Sequence, residues 1–482
     1  MSSEKSQNPA IVWFRRDLRL ADNPALLAAV SSGRPLVALY VLDDESAGTW
    51  RPGGASRWWL HHSLASLAGA IEERGGTLVL RRGDAAKALD AVIEETGAEA
   101  VYWNRIYEPW ATRRDEKIKS DLSDRGLTVR SFKANLIAEP WEVSTKDGRP
   151  YRVYTPFWKA LKAGHEPSEA AGPPKDWLFA DAPKSDRLED WKLLPSKPDW
   201  AGGLRDAWTP GEAGARGRLA AFIRDRLEGY AEARDRPGVD GTSGLSAHLH
   251  HGEISPRQIW AAIRASDKGD REDVQTFLSE IAWREFSYNL LYHFPDFPEA
   301  NFQQKFDKFE WSGSEDHFRA WTKGMTGYPI VDAGMRQLWA TGWMHNRVRM
   351  ITASFLIKDL MVDWRRGEEW FWDTLVDADL ANNAAGWQWV AGSGADAAPY
   401  FRIFNPVTQS QKFDPEGDYI RRWVPELKDL PKKAIHAPWE ADRSALRKAG
   451  VTLGETYPER IVDHAEARKR ALAAFEKIKD AA

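Results

Sequence analysis

Cysteine is absent from the 482 residues of the sequence. Without thiols there are no disulfides, thiolate zinc sites, Cys-ligated iron–sulfur clusters or cysteine nucleophiles, and the lack fits a reducing compartment. No apolar run approaches the roughly 18–20 residues that a membrane helix needs. The N-terminal stretch MSSEKSQNPA also lacks the apolar core of a secretory signal. We therefore expect a cytoplasmic protein with no membrane partner.

The sequence also has little net charge of either sign. Its 67 Lys and Arg against 71 Asp and Glu give −4, which by itself argues against a strongly basic nucleic-acid-binding domain. Charge can still be local, because residues 333–358 contain Arg336, Arg347, Arg349 and Lys358 and no acidic residue. This stretch is either a face that attracts phosphate or an ordinary solvated helix face.

Residues 10–137 alternate between strand-like and amphipathic helix-like segments. This βαβ order indicates a parallel sheet with helices on both faces. Arg15–Arg19 follows the first strand, where a dinucleotide-binding fold would carry G-x-G-x-x-G, so no standard site of that kind is expected there. The five predicted strands are Ile11–Phe14, Leu36–Leu42, Thr77–Leu80, Ala100–Trp103 and Thr128–Phe132.

Residues 138–212 are rich in Pro, Asp, Lys and Trp without clear periodicity, which predicts a long, partly packed connector. From residue 213 apolar residues recur at three- and four-residue spacing, so 213–482 is predicted to be a mostly helical domain. The fold class is therefore a Rossmann-like α/β domain over 1–137, joined by this connector to an all-α domain. Predicted helices of the second domain are Val274–Leu291, Glu315–Trp321, Pro329–Thr341, Arg349–Asp363, Gly367–Asp377 and Ala465–Ala482.

Two glycine-containing runs are candidate phosphate sites. Gly392–Ala397 spells G-x-G-x-x-A, but no strand precedes it, so a dinucleotide site is disfavoured and close approach of the backbone is the simpler explanation. Gly241–Ser246 is a turn-forming run before a helical segment. Its hydroxyls and N–H groups suit a phosphate, and equally a Ser or Thr cap at the helix start.

Polar residues cluster where a core helix would exclude them. An unpaired buried carboxylate or amide is costly, so such clusters indicate either structural ion pairs or a polar cavity for a large ligand. Three clusters in one domain favour the cavity. They are Glu280 with Trp283 and Arg284, Asn346 with Arg349 and Met350, and Asp377 with Asp379 and Asn383.

Tryptophan is unusually abundant, with 25 residues along the chain. Trp387 and Trp389 are two residues apart, so their rings point to different sides of a helix or turn. Trp364 and Trp311 each stand beside charged neighbours. Core packing is a sufficient explanation for any single one of them, so spacing leaves structural and functional roles open.

Six stretches of the sequence together resemble the photolyase/cryptochrome flavoproteins. They follow the family's order, cover nearly the whole chain, and several exceed ten residues. The resemblance implies an α/β domain that carries an antenna chromophore and a helical domain that binds FAD, with no metal site. The stretches are VWFRRDLRLADNPAL, GTSGLSAHL, EIAWREF, TGYPIVDAGMRQLWATGWMHNRVRMITASFLIKDLMVDWRRGEEWF, DADLANNAAGWQW and DAAPYFRIFNP.

The resemblance also implies the residues that contact FAD. Asn383 matches the residue that faces flavin N5. Gly244 departs from a family form that has Arg, so a phosphate contact at that position would come from N–H groups. The implied FAD contacts are Tyr230, Thr242, Ser243, Gly244, Leu245, Ser246, Phe277, Glu280, Arg284, Asn346, Arg349, Asp377, Asp379 and Asn383.

A second set of residues resembles the family's contacts with damaged DNA and its electron-transfer chain. Photolyases are established examples of enzymes that flip a base out of the duplex. Trp283 and Trp389 match the aromatic walls around a flipped pyrimidine dimer, and Glu280 would stabilise its radical anion. The implied electron-transfer chain is Trp387, Trp364 and Trp311; further dimer and DNA contacts are Asn346, Met350, Arg234, Arg347, Arg402 and Gln409.

Within the family, the residues favour repair of cyclobutane pyrimidine dimers. Enzymes for (6-4) photoproducts carry His where Asn346 and Met350 stand, and the iron–sulfur branch needs four Cys. Cryptochrome photoreceptors often have an Asp at the position of Asn383. The stretch DTLVDADL resembles plant cryptochromes, which favours a class III photolyase. A cryptochrome-type blue-light receptor that signals without repair is the alternative.

The antenna implied by this branch is 5,10-methenyltetrahydrofolate. Class I enzymes bind it with a carboxylate shortly after the fourth strand, whereas in this chain Glu108 is followed by Pro109, Trp110 and Ala111, so no antenna residue is assigned. The implied partner is damaged DNA, bound by a monomer at the bacterial nucleoid. A light-independent FAD oxidoreductase is disfavoured, because no base for a small substrate is evident.

Overall fold

A computed structural model describes residues 8–267, 272–397 and 401–479. They form two compact units, each assembled from separate stretches of the chain. Unit 1 comprises the described residues of Met1–Trp200, Trp208–Asp225 and Ser243–Pro295, and unit 2 those of Ala201–Ala207, Arg226–Thr242 and Asp296–Ala482. The units are defined by packing, and the domain boundaries 1–137, 138–212 and 213–482 stay predictions.

Unit 1 contains the predicted five-stranded parallel sheet, in the order β3-β2-β1-β4-β5. The central strands are buried along their whole length, as expected for apolar strands covered by helices on both faces, while the edge strand β5 is largely half-exposed. The predicted fold class is confirmed. The strands are β1 Ala10–Phe14, β2 Leu36–Leu42, β3 Leu78–Arg82, β4 Ala100–Asn104 and β5 Thr128–Phe132.

Alternate residues of the strands enter two separate apolar cores, one on each face of the sheet. Val12 and Phe14 of β1 belong to one core, and Ile11 and Trp13 belong to the other. This division follows from the two-residue period of a strand.

The α-helices of the described chain are numbered in chain order. The first twelve are α1 Pro24–Ser31, α2 Asp44–Ala47, α3 Gly54–Glu72, α4 Ala85–Thr96, α5 Pro109–Asp124, α6 Tyr154–Gly164, α7 Gly202–Ala207, α8 Glu212–Asp225, α9 Tyr230–Ala233, α10 Ser246–His250, α11 Pro256–Ala265 and α12 Glu272–His293. Those that follow are α13 Glu315–Thr322, α14 Pro329–Thr341, α15 Asn346–Ser354, α16 Trp364–Thr374, α17 Leu380–Ala391, α18 Pro406–Phe413, α19 Asp418–Trp423, α20 Arg443–Lys448 and α21 His464–Lys479. Within these ranges no helix is long and apolar enough to cross a membrane.

The stretch predicted as a connector contains two helices that sequence reasoning missed, α6 and the short α7. Helix α6 buries Tyr154, Phe157 and Leu161, which are spaced three and four residues apart as on one helical face. The Pro- and Asp-rich residues that follow α6 obscured this short period. The helix packs against α12 within unit 1.

The prediction of one continuous helix over Arg349–Asp363 was wrong. The α-helix α15 ends at Ser354, and a π-helical turn spans Phe355–Asp359. Met361 then has φ of +56°, a left-handed conformation that ends the helical path. Apolar spacing does not distinguish an α-helix from a π-turn, and π-turns are frequent at functional sites.

The G-x-G-x-x-A run closes a helix instead of opening one. Helix α17 ends at Ala391, and Gly392 caps it with φ of +92°. A Cβ on Gly394 would lie 2.8 Å from the carbonyl carbon of Gln388, so this glycine permits close backbone approach. Both observations agree with the interpretation against a dinucleotide fingerprint.

Candidate functional site

Four of the candidate residues of unit 1 lie on α12, at spacings that place them along one side of the helix. Trp283 is half-buried and stacks on Tyr154 with ring centroids 3.7 Å apart and planes 7° apart. The hydroxyl of Tyr154 donates to the carbonyl of Ser279 at 2.7 Å, which fixes the stacking partner. Phe277 is buried against Phe222, with centroids 4.6 Å apart. Trp283 is therefore a rigid aromatic surface.

Arg284 on α12 has a structural partner as well as a predicted ligand role. Its Nη1 donates to the carbonyl of Asn135 at 2.6 Å, and its guanidinium lies 4.8 Å from the ring of Tyr288. The neighbouring Glu285 is buried and accepts the N–H of Ile137 at 2.8 Å; burial raises its pKa to about 7. Structural bonding thus accounts for part of this cluster. Glu280 lies half-buried one turn away.

The run Gly241–Ser246 does not end in a side-chain cap. Leu245 stands at the cap position of α10, and no side chain caps the helix, so the alternative of a Ser or Thr cap was wrong. Gly244 adopts φ of +61°, which glycine tolerates best. Ser243–Ser246 belongs to unit 1, whereas Thr242 belongs to unit 2.

Unit 2 brings together the predicted phosphate contacts near the start of α15. Arg347 donates from Nη2 to both carboxylate oxygens of Asp235, at 2.8 and 2.7 Å. Its guanidinium carbon also lies 4.3 Å from the ring of Phe413. Arg234, next to Asp235, lies 5.9 Å over the ring of Tyr230. Two cations predicted to contact phosphate are thus held in one neighbourhood.

Arg349 points to a different partner from that of Arg347. Its Nη2 donates to both oxygens of Asp377, at 3.0 and 2.8 Å, and its Nε donates to the carbonyl of Met344 at 2.7 Å. The side chain of Asp377 is only 3% exposed. Asn346 is exposed and Met350 half-buried on the same helix. An ion pair, the alternative to a polar cavity that the sequence left open, thus joins two of the predicted clusters through Arg349 and Asp377.

The end of α16 and the start of α17 hold the remaining polar candidates. Asp379 caps α17 by accepting the N–H of Asn382 at 3.0 Å. Asn383 is buried, and its Nδ2 donates to the backbone carbonyl of Glu368 at 3.1 Å. This bond fixes the amide orientation and leaves Oδ1 as an acceptor.

Sequence reasoning missed Glu368 itself. Its side chain is fully buried, and no partner for either carboxylate oxygen is found among the residues that the structure describes. Burial raises its pKa well above the usual value, because the charged form would lack solvation there. Its sequence neighbours are charged and polar, and nothing in their spacing indicated so deep a position.

Trp387 and Trp389 lie on α17 in different environments. Trp387 is buried between Phe371 and Trp321, with centroids 4.9 and 6.2 Å away. A side chain on Gly367 would overlap its ring, so this glycine is needed where it stands. Trp389 is half-buried and lines a small open cavity together with Arg402 and Lys358.

The other tryptophans and DNA candidates also belong to unit 2. Trp364 is fully buried, and its Nε1 donates to Oδ1 of Asn301 at 3.0 Å. Trp311 is half-buried against Phe309, with centroids 4.6 Å apart. Burial therefore decreases from Trp387 and Trp364 to Trp311.

Two further residues predicted to contact DNA also lie in unit 2. Arg402 is exposed, and Gln409 is half-buried.

Lys358, one of the four cations of residues 333–358, is buried, so this stretch is not a uniformly solvated helix face. The Nζ of Lys358 donates to the carbonyl of Arg402 at 2.7 Å and lies 4.0 Å from the ring of Phe401. Burial lowers its pKa to about 7. Lys358 thus anchors the segment that carries the predicted phosphate contact Arg402.

No group of three or more His, Asp or Glu able to hold a metal is found within the described ranges. The donor set instead suits a large polar organic group. Asn383 keeps a buried acceptor, and Arg349 with Asp377 offers donors and acceptors side by side. These residues fit the polar edge of a flavin ring.

Comparison with known proteins identifies this combination of an α/β sheet and a helical polar site as the architecture of DNA photolyases. Residues 10–175 match the family described as DNA photolyase, and residues 277–477 match the FAD-binding domain of DNA photolyase. The chain belongs to the photolyase/cryptochrome family.

Individual relatives span nearly the whole chain. It is 58% identical to a deoxyribodipyrimidine photo-lyase of Agrobacterium fabrum over 473 residues, covering 98% of both chains. It is 41% identical to Cryptochrome-1 of Arabidopsis thaliana, covering 96% of this chain and 69% of that protein. The crystal structure of a class III photolyase from Agrobacterium tumefaciens superposes with a TM-score of 0.96 at 57% identity, covering 99% of each chain.

Proposed function

We propose that the chain is a class III photolyase that repairs cyclobutane pyrimidine dimers in DNA in a light-driven reaction. The observation that carries this proposal is the 58% identity, over 98% of both chains, to a deoxyribodipyrimidine photo-lyase. The structural likeness to a class III photolyase supports the same assignment. Damaged DNA is the partner, and the protein acts as a monomer at the nucleoid, in the bacterial cytoplasm.

The chain's own residues would hold the lesion. FAD, when bound and reduced, supplies the electron that an absorbed photon makes available to the dimer. Trp283 and Trp389 offer aromatic faces to the flipped bases, and base–aromatic stacking stabilises by roughly 1–3 kcal/mol per base. Glu280 hydrogen-bonds the dimer's polar edge and stabilises the charge that develops there. The dimer contacts proposed from unit 2 also include Asn346 and Met350.

Positive side chains of unit 2 would bind the DNA backbone. Arg234 and Arg347 lie in one neighbourhood around Asp235, and Arg402 is exposed beside the cavity that Trp389 lines. Contacts of this kind fix the position of a duplex without reading its sequence. Gln409 provides a further polar contact.

The FAD contacts proposed from unit 1 are Ser243–Ser246, Phe277, Glu280 and Arg284, and those from unit 2 are Tyr230, Thr242, Asn346, Arg349, Asp377, Asp379 and Asn383. Support for them comes from the buried amide of Asn383 and the ion pair of Arg349 with Asp377. Trp387, Trp364 and Trp311 pass electrons inward from the surface, in keeping with their decreasing burial. The antenna is 5,10-methenyltetrahydrofolate, for which no residue is assigned.

Repair of a dimer-containing oligonucleotide under blue light tests this function. The FAD-loaded, reduced protein should restore intact pyrimidines in the light and leave them unrepaired in the dark. Binding without repair would instead favour a light receptor of the cryptochrome kind, such as the Arabidopsis relative. Flavin turnover of a small substrate in the dark would favour an oxidoreductase.

A further inference from the structure

A cation from another helix occupies the place where a side chain at Gly244 would begin. A Cβ added to Gly244 would lie 2.5 Å from Nη1 of Arg218 and 3.4 Å from its guanidinium carbon. Both residues belong to unit 1, with Arg218 on α8 and Gly244 in the turn before α10. The guanidinium is thus placed against the Ser243–Ser246 turn.

One further contact and the backbone conformation of Gly244 support this arrangement. The guanidinium carbon of Arg218 lies 4.6 Å from the ring of Trp208, which orients its plane. Gly244 has φ of +61°, a conformation that side chains other than glycine's adopt at a cost. A side chain at position 244 would therefore require the guanidinium of Arg218 to move, and it would also adopt a strained backbone conformation.

We infer that Arg218 supplies the positive charge for the pyrophosphate of FAD at the Ser243–Ser246 turn. The inference rests on the proposed FAD site. A guanidinium offers several N–H donors in a fork that matches phosphate oxygens. It replaces the contact that an arginine at position 244 makes in other members of the family, so the turn does not depend on N–H groups alone.

FAD titration of the apo full-length protein tests this assignment. Arg218→Gln removes the charge, and Arg218→Met does so while keeping the apolar contact with Trp208. Because a hydrogen bond to a charged group contributes about 1.5–3 kcal/mol, both variants should bind FAD at least about tenfold more weakly. Arg218→Lys keeps the charge and should fall between them and the unaltered protein.

The matched control is Arg216→Gln, because Arg216 is exposed on the same helix. Its FAD affinity should equal that of the unaltered protein. Thermal melting of the apo forms checks that each variant folds. Arg218→Gln alone could weaken FAD binding through the lost contact with Trp208, and Arg218→Met, which keeps that contact, controls for this effect. Equal FAD affinity of Arg218→Met or Arg218→Gln and the unaltered protein would overturn the inference, as would equal weakening in Arg216→Gln. Failure of the unaltered protein to bind FAD would instead overturn the proposed function.

Discussion

Helices α15 and α17 each carry two candidate residues two positions apart, and the two members of each pair differ in their surroundings. On α17, Trp387 is buried among aromatic rings, whereas Trp389 lines an open cavity. On α15, Arg349 pairs with a carboxylate that is 3% exposed, and Arg347 pairs with one that is 34% exposed. Residue type is therefore the same within each pair, while the surroundings differ.

This difference indicates how one scaffold separates two tasks. Asp377 is buried, so releasing Arg349 would leave an unpaired buried carboxylate, and this cost keeps the two side chains together. Asp235 is partly solvated and can yield Arg347 to a phosphate at little cost, because exposed ion pairs contribute only about 0–1 kcal/mol. Trp387 and the Arg349–Asp377 pair therefore suit electron transfer and cofactor binding, whereas Trp389 and the Arg347–Asp235 pair suit DNA.

The largest effect is expected from Trp387→Phe. Phenylalanine is much harder to oxidise than an indole, so light-driven reduction of bound FAD should slow at least about tenfold. A tenfold change corresponds to about 1.4 kcal/mol in the activation free energy of electron transfer. Repair by enzyme that was reduced chemically beforehand should be largely retained. Absorbance changes under blue light and an oligonucleotide repair assay measure the two quantities.

Trp389→Phe is the matched control on the same helix. It should leave photoreduction intact and weaken binding of the dimer-containing oligonucleotide. If both variants lose both activities to the same degree, the division between an embedded and an open tryptophan is wrong.

Asp377→Asn should be the most destabilising change among the ion pairs. It leaves Arg349 beside a neutral amide in a largely buried setting. Breaking a buried pair is expected to lower the free energy of unfolding by about 3–5 kcal/mol, and we expect about 1–3 kcal/mol for this pair because Arg349 is a quarter exposed. Urea denaturation measures the loss, and FAD affinity should fall with it.

The sequence predicted the sheet better than the site, for a physical reason. Strands such as Leu36–Leu42 are continuous apolar runs bounded by polar turns, and that pattern has few alternatives. Helix Tyr154–Gly164 was missed because its period is short and its C-terminal flank is rich in proline. The π-turn over Phe355–Asp359 depends on tertiary packing that no local pattern records.

In the site, predictions named the residues but not most of their partners. Spacing indicated a polar cluster around Arg349, yet its carboxylate, Asp377, is 28 positions away along the chain. Arg218 and Gly244 meet only because α8 and the turn before α10 fold against each other. The sequence pattern around Glu368 does not distinguish a buried carboxyl group from a solvated one. Contacts between distant segments are therefore what the sequence left undetermined.

Glu368→Gln should stabilise the protein increasingly as the pH rises. Burial raises the pKa of Glu368 above 4.5, its value in the unfolded chain, so folding retains a proton that the unfolded chain releases. The free energy of unfolding of the unaltered protein therefore falls by up to about 1.4 kcal/mol per pH unit from pH 4.5 upward, until the folded pKa is reached. Glutamine does not titrate, so the two proteins should agree near pH 4 and diverge above it. A constant difference across urea titrations from pH 4 to 8 would show that folding does not shift the pKa of Glu368.

Arg347→Ala tests, by its effect on DNA affinity, the arginine whose carboxylate partner is the more exposed. Loss of one phosphate contact should weaken binding about equally for different flanking sequences. It should also reduce the slope of log affinity against log salt concentration by about one. Fluorescence anisotropy at several salt concentrations measures both, and a marked preference for one flanking sequence would argue against a phosphate contact.

Asp235→Asn should have the smallest effect on stability. It therefore tests most directly whether the Arg347–Asp235 pair differs from the Arg349–Asp377 pair. Asp235 is 34% exposed and Arg347 is 21% exposed, so the pair contributes only about 0–1 kcal/mol to the free energy of unfolding. Arg347 also remains held by the ring of Phe413, 4.3 Å away. Removing the carboxylate takes away a negative charge that competes with phosphate for the same N–H groups, so affinity for a DNA duplex should stay equal or rise modestly. A large loss of stability, comparable with that of Asp377→Asn, would make the two arginine pairs equivalent and remove the distinction between them.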